Sequence, residues 1–194
     1  MKKLTFILVL ISISVFFSCN RRTVQRVDPD KQIDLSGRWN DTDSKLVAQE
    51  MISDVLSRPW KNAHVQRTQK KPVVIVGDIK NRSTELIEPE TFIKDLEREF
   101  INSGEVRVVQ SAEFREQMRT ERADQQEFAT SETMKKWKQE LGADYMLHGT
   151  INSIVDQYGK EKVMYYQVNL ELSDLETNEK VWLGEKKIKK LINK

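Results

Sequence analysis

Few residues in this chain of 194 are of types that do covalent or metal chemistry. There are two histidines, His64 and His148, and one cysteine, Cys19. Zinc sites, disulfide scaffolds and cysteine-nucleophile enzymes need several such groups converging, so the inventory excludes all three. His148 falls in the middle of an expected strand and His64 in an expected loop. Neither has a serine, cysteine or ligand set beside it in the sequence, which favours structural roles. Asp41-x-Asp43 offers two carboxylates suited to a hard cation, but a calcium loop needs more acids and a glycine turn, and a helix cap is the better use. Glu97 and Glu99 cannot face one another on a helix, and Glu113 and Glu116 lie in a charged stretch, so neither pair forms a carboxylate dyad. Phosphate-binding loops, dinucleotide fingerprints, zinc-protease helices and nucleophile elbows have no match. These absences point away from an enzyme: no metal, no cofactor and no small-molecule substrate is expected.

Three polar stretches remain that suit recognition instead. The first, Ser36 to Asp41, carries Trp39; the second, Asp78 to Thr84, carries Asn81 and Arg82; the third, Arg119 to Gln126, carries Arg122. Arginine and tryptophan dominate the energetics of protein interfaces, so these four are the candidate partner-binding residues. Each also has a structural use. Trp39 can staple the chain to a core, Asn81 can take a left-handed turn, and the third stretch can be a solvated helix or loop. Trp137 and Trp182 lie on periodic elements and are expected at or near the core. Basic residues number 32 against 30 acidic, and setting aside Lys2 and Lys3 leaves the two signs equal. A balanced chain has no overall basic field with which to hold nucleic acid.

Cys19 has a context of its own. Met1-Lys2-Lys3 is a short basic start, and Leu4 to Phe17 is apolar except for Thr5, Ser12 and Ser14. That run is shorter than the ~20 residues a spanning helix needs, and matches the apolar region of a secretory leader. Phe16-Phe17-Ser18-Cys19 resembles a bacterial lipobox, in which the cysteine after a small residue is acylated and becomes the new N-terminus. The expectation is a leader over 1–18, a lipidated start and linker over 19–33, and one domain over 34–194. With Asn20, Arg21 and Arg22 after the cysteine, the periplasmic face of the outer membrane is the expected address. From Asn20 to Leu35 the chain would span about 53–58 Å fully extended and roughly 20–24 Å as a coil.

The remaining sequence must fold into the elements that present these groups. Asp41 to Ser44 reads as an N-cap cluster ahead of a helix with Val47, Met51 and Val55 on one face, stopped at Arg58-Pro59. Val73 to Ile79 reads as a buried central strand. Phe92, Leu96 and Phe100 mark a helix that opens at Pro89 and closes at Gly104. Val106 to Val109 is a short strand. Phe114 and Met118 mark one further helix, and Met134, Trp137 and Leu141 another, closed by Gly142. After that the period becomes two. Tyr145, Leu147, Gly149 and Ile151 share a face, as do Tyr166, Val168, Leu170 and Leu172, and Trp182 lies opposite Val181 and Leu183. Turns at Gln157–Lys160 and Glu176–Glu179 join these strands. The order α-β-α-β-α-α-β-β-β predicts an α+β fold, a mixed sheet of about five strands with a C-terminal antiparallel meander and helices packed on it.

The segments DLSGRWNDTDSKLVAQEMI, KPVVIVGDIKNRSTELIEPETFIKDLEREFINSGEVRVV, RTERADQQ, ELGADYMLHGTINSIVDQ and YYQVNLELSDLETNEKVWLGEKKIKK resemble, in that order, the LpoB family of lipoproteins. The resemblance implies a domain similar to the N-terminal domain of TolB and to CsgG. It also implies a non-enzymatic role, in which the lipoprotein docks on a bifunctional peptidoglycan synthase, a class A penicillin-binding protein, and raises its glycosyl-transfer and transpeptidation rates. Only Cys19 carries over as a family residue. The alternative is a peripheral component of an envelope or secretion assembly related to CsgG; the chain has no spare pair of strands with which to build a pore.

Overall fold

The computed structural model describes residues 23–29, 31–133 and 139–193. The chain divides into two units, Met1–Lys31 and Gln32–Lys194. In the first, residues 23–29 and 31 are exposed and form neither helix nor strand, and the Lys31 N–H donates to the Asp28 carbonyl at 3.0 Å. Cys19 lies outside the described residues.

The second unit opens with helix α1, Asp41–Ser57. Its cap is Asn40, one residue ahead of the cluster expected from sequence. The Asn40 side chain accepts from the Asp43 N–H at 3.0 Å, and the Asp43 carboxylate accepts from the Asn40 N–H at 3.0 Å. This reciprocal box satisfies donors that the first helical turn leaves free. Ser44 turns away and donates to Asp95 at 2.8 Å. Val47, Met51, Ile52, Val55 and Leu56 are buried, as their spacing predicts.

Arg58-Pro59 ends α1, but Pro59 also begins a second helix, α2, Pro59–Thr68. Proline suits the first helical position because its missing N–H would have no partner there. Trp60 locks the corner by donating to the Val55 carbonyl at 2.7 Å. His64 is therefore helical and buried, not in a loop. Its Nδ1 is 3.1 Å from the Tyr145 hydroxyl and its Nε2 is 3.6 Å from Asp144.

Strand β1, Val73–Arg82, leads to helix α3, Pro89–Ser103, then to β2, Arg107–Val108, and helix α4, Ala112–Phe128. Three long strands finish the domain: β3, Tyr145–Tyr158; β4, Glu161–Asp174; and β5, Lys180–Asn193. Among the described residues the order is α-α-β-α-β-α-β-β-β, where the sequence suggested α-β-α-β-α-α-β-β-β. The helix expected at Met134 and Trp137 lies outside the described residues, and 139–143 are not helical.

The fold is α+β, with one mixed sheet ordered β2-β1-β3-β4-β5. β1 runs parallel to both β2 and β3, while β3, β4 and β5 form the antiparallel meander. The second turn is held by Asp174, whose carboxylate accepts from the Glu176 N–H at 2.8 Å and the Thr177 N–H at 3.0 Å, with Asn178 left-handed at φ 61°. Phe92, Leu96 and Phe100 of α3 meet Val74, Val76, Leu147, Ile151, Val168 and Leu170 of the sheet in one core shared with α1. On β5 the core side is that of Trp182 and Gly184, while Leu183 is exposed. A Cβ on Gly184 would lie 2.0 Å from the Trp182 ring. The absent side chain is thus what lets the indole fold flat along its own strand, where its Nε1 donates to Asp54 of α1 at 2.7 Å.

Candidate functional site: clefts and grooves around strand β1

The loop after β1 is built around Asn81. Its amide donates to the carbonyls of Glu85 at 2.8 Å and Ile87 at 3.2 Å, and its oxygen accepts from the Ser83 N–H at 2.9 Å and hydroxyl at 2.7 Å. Four bonds from one side chain fold residues 82–88 into a fixed shape. Asn81 does this with an ordinary negative φ, since the non-glycine residues with positive φ are Gln69 and Asn178 among those described. Its amide is committed inside the loop.

Arg82, next in sequence, is exposed. It lines the rim of a cleft of about 990 Å³ between the start of α4 and the sheet face away from the core. Met146, His148 and Thr150 form part of the floor, and Lys80, Lys94, Glu90 and Glu97 stand around it. Lys94 is 2.8 Å from Glu97 and 3.4 Å from Glu90, and lies 5.1 Å from the centre of the Phe114 ring. The Glu97 carboxylate raises its pKa above the ordinary lysine value, against a smaller opposing effect of burial. His148 Nε2 is 3.3 Å from the Ser173 hydroxyl. The cleft thus presents both signs of charge around a floor of mixed polarity. Such a surface recognises another protein more readily than it performs acid–base chemistry.

Trp39 sits in a different groove, with Arg38, Glu85 and Leu86. Its ring packs edge-on against Phe92 and Tyr166, with centroids 6.0 and 5.7 Å apart. The Glu85 carboxylate accepts from the Trp39 N–H at 3.1 Å and the Tyr166 hydroxyl at 2.7 Å. Burial, helped by that carboxylate, pushes the Tyr166 hydroxyl well above the usual phenol range. Trp39 is therefore a staple between the start of the domain and its core, half-buried and with one side facing the groove.

Arg122 lies on α4, in a third place. It is 3.4 Å from Glu140, which also takes a two-pronged contact from Arg119 at 2.8 and 3.0 Å. The Arg119 bonds hold the Glu140 carboxyl below its ordinary value. The four candidates are not brought together: Asn81 and Arg82 adjoin the cleft, Trp39 faces a second groove and Arg122 a third. Lys80, Lys94 and Glu97 line the same cleft as Arg82; the sequence put Lys80 in the Asp78–Thr84 stretch and weighed Glu97 only as half of a carboxylate pair, and gave Lys94 no role. Lys94 and Glu97 sit one helical turn apart on α3, a spacing visible in the sequence but common on any solvated helix.

Among the described residues, no group of three or more histidines, cysteines or acids is placed to hold a metal ion. No helix among them is long and apolar enough to cross a membrane.

A family model for the peptidoglycan-synthase activator LpoB matches residues 43–188, from the first turn of α1 to the core side of β5. The chain belongs to the LpoB family. None of the curated proteins matches it in sequence. Among solved structures, the LpoB C-terminal domains from Salmonella enterica and Escherichia coli are each 16% identical, with TM-score 0.42, covering 75% of this chain and 98% of theirs. Lipoprotein GNA1162 from Neisseria meningitidis is 14% identical with TM-score 0.40, over 62% of this chain and 83% of its own. The family is one of peptidoglycan-synthase activators, and the match takes in the cleft beside Arg82 and the groove at Arg122, while the Trp39 groove lies partly outside it, with Arg38 to Asp41 ahead of its first residue.

Proposed function

We propose that the chain is an acylated lipoprotein whose domain binds and activates a class A penicillin-binding protein, and so regulates cell-wall synthesis. The leader occupies 1–18, Cys19 carries the lipid, 19–33 form the linker, and 34–194 form the activating domain at the periplasmic face of the outer membrane. The observation that carries this reading is the LpoB family match over residues 43–188. The mixed-charge cleft beside Arg82 supports it, because it offers a partner an exposed guanidinium on a rim that Asn81 holds in shape.

An activator without catalytic groups acts by preferring one conformation of its partner over another. Binding must therefore stabilise the synthase in the form that polymerises glycan. Arg82 offers a planar fork of donors to a partner carboxylate, and the grooves at Trp39 and Arg122 extend the candidate contact area.

The test is titration of the purified partner ectodomain, with glycan polymerisation followed in parallel. Arg82→Ala is expected to weaken binding by about 1–3 kcal/mol while leaving the melting temperature unchanged, since the side chain is exposed. Arg122→Ala has the same expected direction. Unaltered affinity in both would remove these grooves from the interface. Absence of any rate increase with the unmodified protein would overturn the activator reading. The anchor is tested separately by Cys19→Ala, which should abolish incorporation of a fatty-acid probe.

A further inference from the structure

Strand β1 loses its outer neighbour part-way along. Pairing with β2 covers only Val73 and Val74, and its last bond runs from the Val109 N–H to the Val74 carbonyl at 3.1 Å. The chain then turns into α4. From Ile75 to Arg82 no strand among the described residues lies on that side of β1. The Pro72 and Val74 carbonyls both accept from the β2 segment, so by alternation the Val76 N–H and C=O point to the same side, where the ladder has ended. Here β1 also bulges. Its register with β3 shifts between Val76 and Ile79, and Gly77 and Asp78 have no partner on β3 either. A bulge leaves backbone groups unpaired and bends the strand. At the usual rise per residue the open edge runs roughly 23 Å.

The cleft beside Arg82 passes round this edge. Ile93, Lys94 and Glu97 line it from α3 on the core side of the sheet, while Ile75, Met146 and His148 line it from the opposite face. A second hollow of about 590 Å³ continues it along β1, sharing Asp78, Lys80, Arg82, Glu90 and Ile93. Several of the charges around it are already matched. Glu90 and Glu97 share Lys94, and Glu171 is 2.6 Å from Lys180. Lys80, Arg82 and Arg115, against Asp78 and Glu113, form no ion pair among the described residues, and the Arg115 Nε is buried without a hydrogen-bond partner.

We propose that an extended segment of the synthase adds to β1 as a strand between Ile75 and Arg82, in the place that β2 leaves empty. The inference deepens the activator reading and rests on it. An edge offers N–H and C=O groups in the spacing of a strand, which a helix cannot meet because its own backbone groups are used internally. Main-chain bonds then supply affinity, and hollows on either side of the edge supply specificity. Ile93 and Met146, half-buried on opposite sides of the sheet, receive alternate side chains of the incoming segment. The exposed Lys80 and Arg82 discourage indiscriminate pairing of edges and favour a segment that brings a carboxylate to that end. The loop held by Asn81 fixes the edge's end before the partner arrives, so little order remains to be imposed on binding.

The test is amide hydrogen exchange on the full chain in detergent, alone and with the purified synthase ectodomain. Amides between Val76 and Arg82 are expected to exchange about tenfold more slowly in the complex. Substitution at the bulge separates backbone from side chain. Asp78→Pro removes an N–H at a place where sheets tolerate proline and should weaken capture of the ectodomain about tenfold. Asp78→Ala removes the same carboxylate but keeps the N–H, and should weaken it several-fold less. Thermal melts show whether both variants fold; if Asp78→Pro does not, exchange in the unsubstituted chain decides alone. Capture without slower exchange at these amides overturns the added strand and leaves the activator reading standing. Equal losses in the two variants also overturn it, by assigning the contact to the carboxylate. The same slowing on concentrating the chain by itself assigns the edge to a second copy and overturns the proposal as well. No capture of the ectodomain by the unsubstituted chain removes the synthase as the source of the strand, and the activator reading with it.

Discussion

Gly184→Ala is expected to unseat Trp182, and the geometry sets the size of the effect. The added methyl would lie 2.0 Å from Cζ2 and 2.3 Å from Cη2 of the indole, far inside van der Waals contact, so the ring must leave its place. Trp182 is 6% exposed and donates to Asp54 at 2.7 Å, so moving it gives up buried apolar area and a bond to a carboxylate together. Removing a buried tryptophan outright costs about 3–5 kcal/mol, and a hydrogen bond to a charged group contributes about 1.5–3 kcal/mol. A displaced ring keeps some contacts elsewhere, which puts the expected loss at about 2–4 kcal/mol. The decisive assay is a double-mutant cycle by urea denaturation. Trp182→Ala alone should cost a similar amount, and adding Gly184→Ala to that background should cost less than about 1 kcal/mol, because the obstacle is gone. Equal costs of Gly184→Ala in both backgrounds would refute the reasoning and place the strain in the strand backbone.

Other outcomes follow from the same structure. Leu170→Asp, which buries a charge in the core, should cost several kcal/mol, while Glu171→Asp on the opposite face of β4 should shift the melt only slightly. Asn81→Ala removes four hydrogen bonds from the loop after β1 and should cost about 1–3 kcal/mol, with faster amide exchange confined to residues 82–88. Stability should fall as pH rises above about 10. Burial raises the Tyr145 and Tyr166 hydroxyls, and Asp34 and Asp43 raise Lys190 against the opposing effect of burial, so these groups hold protons in the folded chain that the unfolded chain has lost. It should fall again in acid below about pH 4. The Lys190 bond lowers Asp34, and the Thr177 and Glu176 amides lower Asp174 despite its burial, so the unfolded chain binds protons first. Chemical denaturation across pH checks both limbs.

The parts of the fold that sequence made legible were those where one periodicity acted alone. Phe92, Leu96 and Phe100 repeat every four residues with proline before and glycine after, and the helix sits where they say. Val168, Leu170 and Leu172 alternate cleanly because one face of β4 is buried and the other is not. Helix α2 was hidden because only Trp60 and His64 of its ten residues are buried, too few to mark a face, and because Pro59 serves equally as a stop and a start. The core side of β5 was obscured because its inward positions include Gly184 and the stems of Lys186 and Lys190, while the exposed side carries Leu183 and Leu191. The candidate site divided in the same way. The exposure of Arg82 was legible because an arginine closing a buried strand is conspicuous. The four bonds of the Asn81 side chain within its loop were not legible, since only the fold brings the Glu85 and Ile87 carbonyls to it. Lys94 and Glu97 could not be linked to Arg82 without the topology that places α3 beside the end of β1.

The ties that close the domain join its first residues to its last. Asp34 and Asp43 reach Lys190, Asp54 reaches Trp182, and α1 packs against both α3 and β5. A chain emerging N-terminus first therefore has α1 long before it has the strand that covers it. Until residue 190 or so is free, the apolar face of α1 lacks the part of its partner surface that β5 supplies, and the ties from Asp34, Asp43 and Asp54 cannot form. This last closure is thereby deferred to the end of synthesis. This timing lengthens the interval in which a helper protein could hold the unfinished chain.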